Sequence, residues 1–135
     1  MKVICKQNSC TENQNIKYGY KADSSYRFNL TIGKEYTVLG INSLSTSRIN
    51  TGCTFLLRDD IDMCAFVPIC LLEISNPSPS KFWVASIENE FDFSLGPPEF
   101  DIDCLIDRAS DYVPEAVAIF DKICRILEEE ANNLG

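Results

Sequence analysis

Residues 26–41 read YRFNLTIGKEYTVLGI, and this stretch decides the class of fold. Its first half alternates apolar and polar residues, as a half-buried strand does. The apolar positions of that half are Phe28, Leu30 and Ile32. Gly33-Lys34 then breaks the alternation as a turn, and residues 35–41 (EYTVLGI) resume it with β-branched and aromatic side chains. The stretch therefore predicts two strands joined by a turn.

Further short strands are expected on both sides of this stretch. They cover residues 3–5, 53–58, 63–67, 69–74 and 81–88. Residues 6–25 and 42–52 are polar and rich in turn formers, which indicates surface loops. Residues 76–80 (NPSPS) break the strand pattern. Several short strands at this spacing predict a small barrel or curled sheet over residues 1–88.

The last third of the chain changes to a helical pattern. From Asn89 onward the sequence changes character: residues 88–103 (ENEFDFSLGPPEFDID) are acidic, aromatic and interrupted by proline, which indicates an ordered loop that leads to a short helix near 102–110. Pro114-Glu115 opens a long helix, since proline and an acidic residue suit the first turn. Its apolar stripe recurs at steps of three and four residues. The stripe consists of Val113, Val117, Phe120, Cys124, Leu127, Ala131 and Leu134. The expected fold is α+β, mainly β with C-terminal helices, in a single domain 1–135.

The charge is strongly acidic and unevenly distributed. The 135 residues hold 12 Lys/Arg and 20 Asp/Glu, a net charge of −8, and seventeen of the acids lie in residues 59–135 against four basic residues. Such a field repels nucleic acid and anionic membranes and attracts a basic protein. The alternative explanation is a solvated surface that keeps the protein soluble. No apolar run is long enough to span a membrane, and residues 1–10 lack a signal-peptide core, so we expect a cytoplasmic protein.

Composition also excludes much of enzyme chemistry. The chain has no histidine, which removes Ser-His-Asp and Cys-His nucleophile pairs and histidine metal sites. Asp59-Asp60-x-Asp62 and Glu99-x-Asp101-x-Asp103 could suggest a cation site, but neither matches the calcium-loop template. Seven cysteines without a Cys-x-x-Cys pair predict reduced thiols, with Cys10 exposed and the five from Cys53 onward in the core. We expect no enzyme, no cofactor and no metal.

Residues 30–39 (LTIGKEYTVL) resemble the opening strand of small bacterial and phage SH3-like barrels. Residues 54–60 (TFLLRDD) and the run from Phe66 through Glu73 stand where those proteins have a hairpin and a closing strand. Met63 replaces the usual hairpin glycine. The resemblance covers about residues 26–74 and implies an SH3-like barrel. It also implies an alternative function, a peptide- or protein-binding adaptor, although the alanine-leucine-tyrosine-aspartate-tyrosine signature of eukaryotic SH3 domains is absent.

The order of features after residue 80 resembles a second class of protein. Phe82-Trp83, then Gly96-Pro97-Pro98-Glu99-Phe100, then an acidic short helix and an amphipathic helix are similar to bacterial immunity proteins of polymorphic or contact-dependent growth-inhibition toxin systems. Those are small, acidic, cytosolic inhibitors without catalytic residues. The resemblance implies that the chain blocks a cognate toxin, often a basic nuclease, as a monomer or a toxin heterodimer.

The candidate partner-binding residues are carboxylates and the phenylalanines between them. Carboxylates raise the association rate with a basic cleft, and an aromatic anchor supplies a binding hot spot. The set is Asp59, Asp60, Asp62, Glu88, Glu90, Phe91, Asp92, Glu99, Phe100, Asp101 and Asp103. The alternative for Phe91, Phe93 and Phe100 is that they are core residues of an irregular segment.

Overall fold

The architecture is that of a computed structural model, which describes residues 1–18, 25–43, 53–88 and 92–133. Its strands are β1 (Lys2–Cys5), β2 (Glu35–Ser43), β3 (Cys53–Arg58), β4 (Cys64–Pro68), β5 (Leu72–Asn76), β6 (Val84–Ile87) and β7 (Phe93–Gly96). Its helices are α1 (Glu12–Tyr18), α2 (Leu105–Ser110) and α3 (Pro114–Asn133), with 3-10 helices at Ile69–Leu71 and Pro98–Asp101. The α+β class expected from the sequence is confirmed.

All strand pairs in the sheet are antiparallel, and β2 lies at its centre. The strand order is β4-β3-β2-β1-β5, while β7 pairs with both β2 and β6. β2 bends where its register against β3 shifts between Val38 and Gly40. Within the described ranges β4 and β5 end the sheet without pairing to each other, so the sheet is open and barrel closure is not shown.

The sheet carries a separate hydrophobic core on each face. The first includes Val3, Val38, Leu57, Val67 and Leu71, all at most 1% exposed. The second joins Leu39 and Leu56 of the sheet to the C-terminal helices through Leu105, Phe120, Cys124 and Leu127. β2 supplies both cores because successive side chains of a strand point to opposite faces, so that Val38 joins the first core and Leu39 the second.

The long C-terminal helix follows the predicted stripe. Ala116, Phe120, Cys124, Leu127 and Ala131 are its buried residues, and α3 packs against α2 and β2. Val113 and Val117 are half-buried, and Leu134 lies outside the described residues. No helix within the described ranges is long and apolar enough to cross a membrane.

The predicted strand at residues 26–32 is wrong. Its backbone hydrogen bonds go to other partners: Phe28 N–H donates to Asn8 O at 2.7 Å, and Thr31 N–H donates to the Tyr36 hydroxyl at 2.8 Å. Only Leu30 of the three alternating residues is buried, and Ile32 is 61% exposed. The segment is therefore an irregular lead-in to β2 whose apolar alternation does not reflect strand pairing.

Other departures lie at element ends and in the loops. Residues 12–18 form α1 inside the stretch expected to be loop. Thr11 and Gln14 cap it reciprocally, since Gln14 N–H donates to Thr11 Oγ1 and Thr11 N–H donates to Gln14 Oε1. The strand expected at 69–74 begins only at Leu72, after a 3-10 turn. β7 is an additional strand in the stretch predicted to be loop.

The cysteine assignments also change. Cys10, predicted to be exposed, is 3% exposed and belongs to the first core. Cys104, predicted to be buried, is exposed at the residue before α2. Cys64 and Cys124 pack in the second core, where burial raises the pKa of each thiol to about 12.

Candidate partner-binding surface

Asp59 shapes the turn between β3 and β4. Its Oδ1 accepts hydrogen bonds from Ile61 N–H at 3.1 Å and Met63 N–H at 2.9 Å, and the residue is 9% exposed. Its carbonyl oxygen also accepts from Asp62 N–H at 3.0 Å. The carboxylate is therefore occupied inside the turn, as aspartate commonly is in such positions.

Asp60 fastens this turn to the segment before β2. Its carboxylate accepts from Thr31 Oγ1 at 2.6 Å and from the Tyr36 hydroxyl at 2.8 Å, and it pairs with Lys34 Nζ at 2.8 Å. The hydrogen bond from Lys34, followed by that from Thr31, lowers the pKa of Asp60 to about 2. Asp59 and Asp60 thus have structural partners, whereas Asp62, whose side chain is 79% exposed, has among the described residues only an ion pair with Arg58 at 3.4 Å.

The second predicted cluster surrounds the 3-10 helix Pro98–Asp101. Phe100 is 8% exposed and lies against Phe120 with ring centroids 5.9 Å apart, so it is a core residue. Glu99, Asp101 and Asp103 are exposed around it. Of the two interpretations of Phe100, the structure supports the core residue. The helix turns the neighbouring carboxylates toward solvent because its aromatic side chain is buried.

The β6–β7 hairpin and the 3-10 helix that follows it bring three predicted carboxylates to one place. Glu88 N–H donates to Asp92 O at 2.9 Å where the hairpin closes, and Ser86, Ser94 and Asn42 lie in register across β6, β7 and β2. A shallow depression of about 150 Å³ forms over this polar row. Its acidic lining residues are Glu88, Asp92 and Asp101. Glu90 and Phe91 lie outside the described residues.

The opposite face of the same hairpin is apolar and open to solvent. Ile87 pairs across the hairpin with Phe93, and Ala85 pairs with Leu95. Ile87 is 73% exposed, Phe93 41% and Leu95 37%. Sequence reasoning proposed aromatic anchors in this region but did not include Ile87 or Leu95. The alternation in residues 93–96 (FSLG) is the signal that could have identified them.

A close backbone contact holds the hairpin against the sheet. A Cβ added at Gly40 would stand 2.9 Å from the carbonyl oxygen of Leu95, so β7 can approach β2 only because residue 40 has no side chain. Ser43 Oγ donates to Phe93 O at 3.1 Å and accepts from Phe93 N–H at 2.9 Å. These contacts fix the strand that carries Phe93 and Leu95.

Two further findings concern metal binding and similarity to known proteins. In the part of the chain that the structure describes, no group of three or more Cys, Asp or Glu side chains is arranged to hold a metal ion. No family model, curated protein or solved structure compared with the chain matches it. The acidic face with Glu88, Asp92 and Asp101 and the opposite apolar face with Ile87, Phe93 and Leu95 are together called the hairpin surface below.

Proposed function

We propose that the protein is a cytoplasmic immunity protein that binds and neutralises a cognate toxin, most simply a basic nuclease, without catalysing a reaction. The observation that carries the proposal is the hairpin surface, in which an exposed apolar face and an acidic depression share one β-hairpin. The carboxylates around the depression would face the cleft in which a nuclease holds phosphate.

The two faces of the hairpin would contribute differently to binding. Carboxylates at the rim mainly increase the association rate with a positively charged partner and make that rate depend on salt. Large apolar side chains such as Phe93 supply the affinity when a partner buries them. A rigid platform keeps the cost of ordering low, and the contact of Gly40 with β7 provides one.

An SH3-like adaptor is the second candidate, and the strand order favours it. β2, β3 and β4 follow one another as a meander, a 3-10 helix comes next, and β5 returns to pair with β1. We propose that this part of the chain is an SH3-like barrel variant. In the loop before β2, Tyr26 is 55% exposed and meets Phe28 edge-on at 5.0 Å, which offers an aromatic surface to a peptide.

Growth protection tests the proposed function. Cells that produce the toxin encoded beside this chain should survive when they also produce the chain. The triple variant Glu88→Lys, Asp92→Lys and Asp101→Lys should lose protection, whereas the matched variant Glu12→Lys, Glu73→Lys and Glu129→Lys, with the same change in net charge, should retain it. Cells that die despite producing the unchanged chain would refute the immunity function, and equal protection by both variants would refute the hairpin surface as the site.

A further inference from the structure

A second concave site lies on another side of the molecule, between the β3–β4 turn and the helices. This groove has a volume of about 250 Å³. Ile61 and Met63 line it from the turn, Tyr112 lines it from the α2–α3 connection, and Val117 and Phe120 line it from α3. The volume is below the range of about 300–1,000 Å³ that is typical of small-molecule sites. It suits one large side chain of a partner better than a complete small ligand.

Tyr112 stands at the rim of this groove in an unfavourable backbone conformation. α2 ends with Tyr112 N–H donating to Ala109 O and Val113 N–H donating to Arg108 O, both at 3.0 Å. This pair of bonds is the Schellman motif, whose left-handed position usually holds glycine. Tyr112 occupies it with φ of 60°, although a bulky residue is strained there, and its side chain is 70% exposed. Burial of the Tyr112 ring stabilises the fold little and does not offset this backbone strain. The exposed ring is therefore a candidate for contact with a partner.

The charges around the groove favour a basic occupant. Arg58 also lines the groove and is already paired with Asp121 and, at 3.4 Å, with Asp62. The flanking segment, residues 107–121, has four acidic residues and one basic residue, Arg108, and Lys122 follows it. The acidic residues are Asp107, Asp111, Glu115 and Asp121. A partner side chain that enters the groove beside a lysine or arginine would therefore meet complementary charge.

We propose that this groove binds a segment of a partner protein in which a large apolar side chain, flanked by lysine or arginine, inserts between Ile61 and Tyr112. The identification of that partner with the toxin rests on the proposed function, whereas the binding chemistry of the groove does not. The groove would then add a second contact, separate from the hairpin surface.

The test uses the full chain and three short peptides as probes. Amide spectra of the ¹⁵N-labelled protein are recorded with acetyl-Lys-Trp-Lys-amide, acetyl-Glu-Trp-Glu-amide and acetyl-Lys-Ser-Lys-amide. The first peptide should shift the amides of Ile61, Tyr112 and Val117 and saturate at a dissociation constant of roughly 1 mM, as expected for a single inserted side chain. The other two should bind at least about tenfold more weakly, because each lacks either the charge or the ring.

Two variants separate binding by Tyr112 from its effect on folding. Tyr112→Gly suits the left-handed backbone, so the chain should stay folded while it binds acetyl-Lys-Trp-Lys-amide about tenfold more weakly. Tyr112→Phe should bind within about twofold of the unchanged chain. Equal binding by the glycine variant, equal binding of the acidic peptide, or shifts that centre on another face would overturn the inference.

The groove and the proposed function can fail separately. If the chain neutralises the toxin and Tyr112→Gly binds the toxin with unchanged affinity, the groove is not a toxin contact and the immunity function still holds. Specific binding of the basic peptide at Ile61 and Tyr112, in a chain that protects no cell, would support the groove and refute the function.

Discussion

Replacing Asp60 with asparagine should destabilise the fold without weakening partner binding. The substitution removes the ion pair with Lys34 and the charge on which the hydrogen bonds from Thr31 and Tyr36 depend. The lowered pKa of about 2 against 3.8 corresponds to an upper limit of about 2–3 kcal/mol. Because the Lys34 side chain is 53% exposed, solvent screening reduces the expected loss to about 1 kcal/mol.

The pH dependence identifies the carboxylate as the cause. The pKa of Asp60 is depressed in the folded state, so its stabilisation is complete above the unfolded value of 3.8 and is lost as the pH falls toward about 2. The free energies of unfolding of the unchanged chain and of Asp60→Asn should therefore differ at neutral pH and converge at low pH. Glu35, whose pKa is also lowered, affects both proteins and cancels in the difference.

Urea denaturation followed by circular dichroism at several pH values measures these free energies. Asp62→Asn is a matched control in the same turn, because the ion pair of Asp62 with Arg58 at 3.4 Å involves a carboxylate that is 79% exposed, and asparagine tolerates the φ of 61°. The control should lose less than about 0.5 kcal/mol. A constant difference between Asp60→Asn and the unchanged chain from neutral pH to pH 2, or a loss no larger than that of the control, would refute the reasoning.

Two further predictions concern the packing of the hairpin and the reactivity of the thiols. Gly40→Ala should lower the free energy of unfolding, measured by urea denaturation, by about 1–3 kcal/mol, because the added Cβ would stand 2.9 Å from the Leu95 carbonyl oxygen. Gly33→Ala is a comparison variant: its Cβ would have no atom within 4 Å, so its loss reports only the backbone strain at φ of +89°. A loss in Gly40→Ala below about 1 kcal/mol would contradict the close-contact argument. Iodoacetamide should alkylate the exposed Cys104 first. It should reach Cys64 and Cys124 only after unfolding, because burial raises the pKa of both thiols to about 12. Mass spectrometry of partially labelled protein measures the order, and modification of Cys64 before Cys104 would contradict the prediction.

The regular elements of the fold were predictable where local pattern and tertiary pairing agree. The strands at 35–43 and 53–58 and the helix from Pro114 were predicted to within a few residues. In each of them the spacing of apolar residues matches the face that packs into a core. The alternation at 26–32 led to a wrong strand prediction. The backbone N–H groups there donate to Asn8 O and the Tyr36 hydroxyl, and the spacing of apolar residues gives no sign of these partners. Helix α1 could have been found from Thr11-x-x-Gln14, which has the spacing of a capping box.

The candidate site was only partly accessible from sequence. Clusters of carboxylates are visible in the sequence, but their partners are not, and Asp59 and Asp60 prove to hold a turn together. The exposed pairing of Ile87 with Phe93 depends on hairpin register, which the sequence does not specify across residues 89–91. The left-handed backbone of Tyr112 follows from the hydrogen bonds that end α2, and composition gives no sign of it.

The association rate of the purified chain with the proposed cognate toxin, measured by stopped-flow at low and high ionic strength, tests the central claim most directly. We expect the triple variant Glu88→Lys, Asp92→Lys and Asp101→Lys to associate at least about tenfold more slowly at low ionic strength, with the difference shrinking as salt screens the charges. The matched variant Glu12→Lys, Glu73→Lys and Glu129→Lys should remain within a few-fold of the unchanged chain. Equal slowing in the two triple variants, or no slowing in either, would contradict the assignment of the hairpin surface as the docking site.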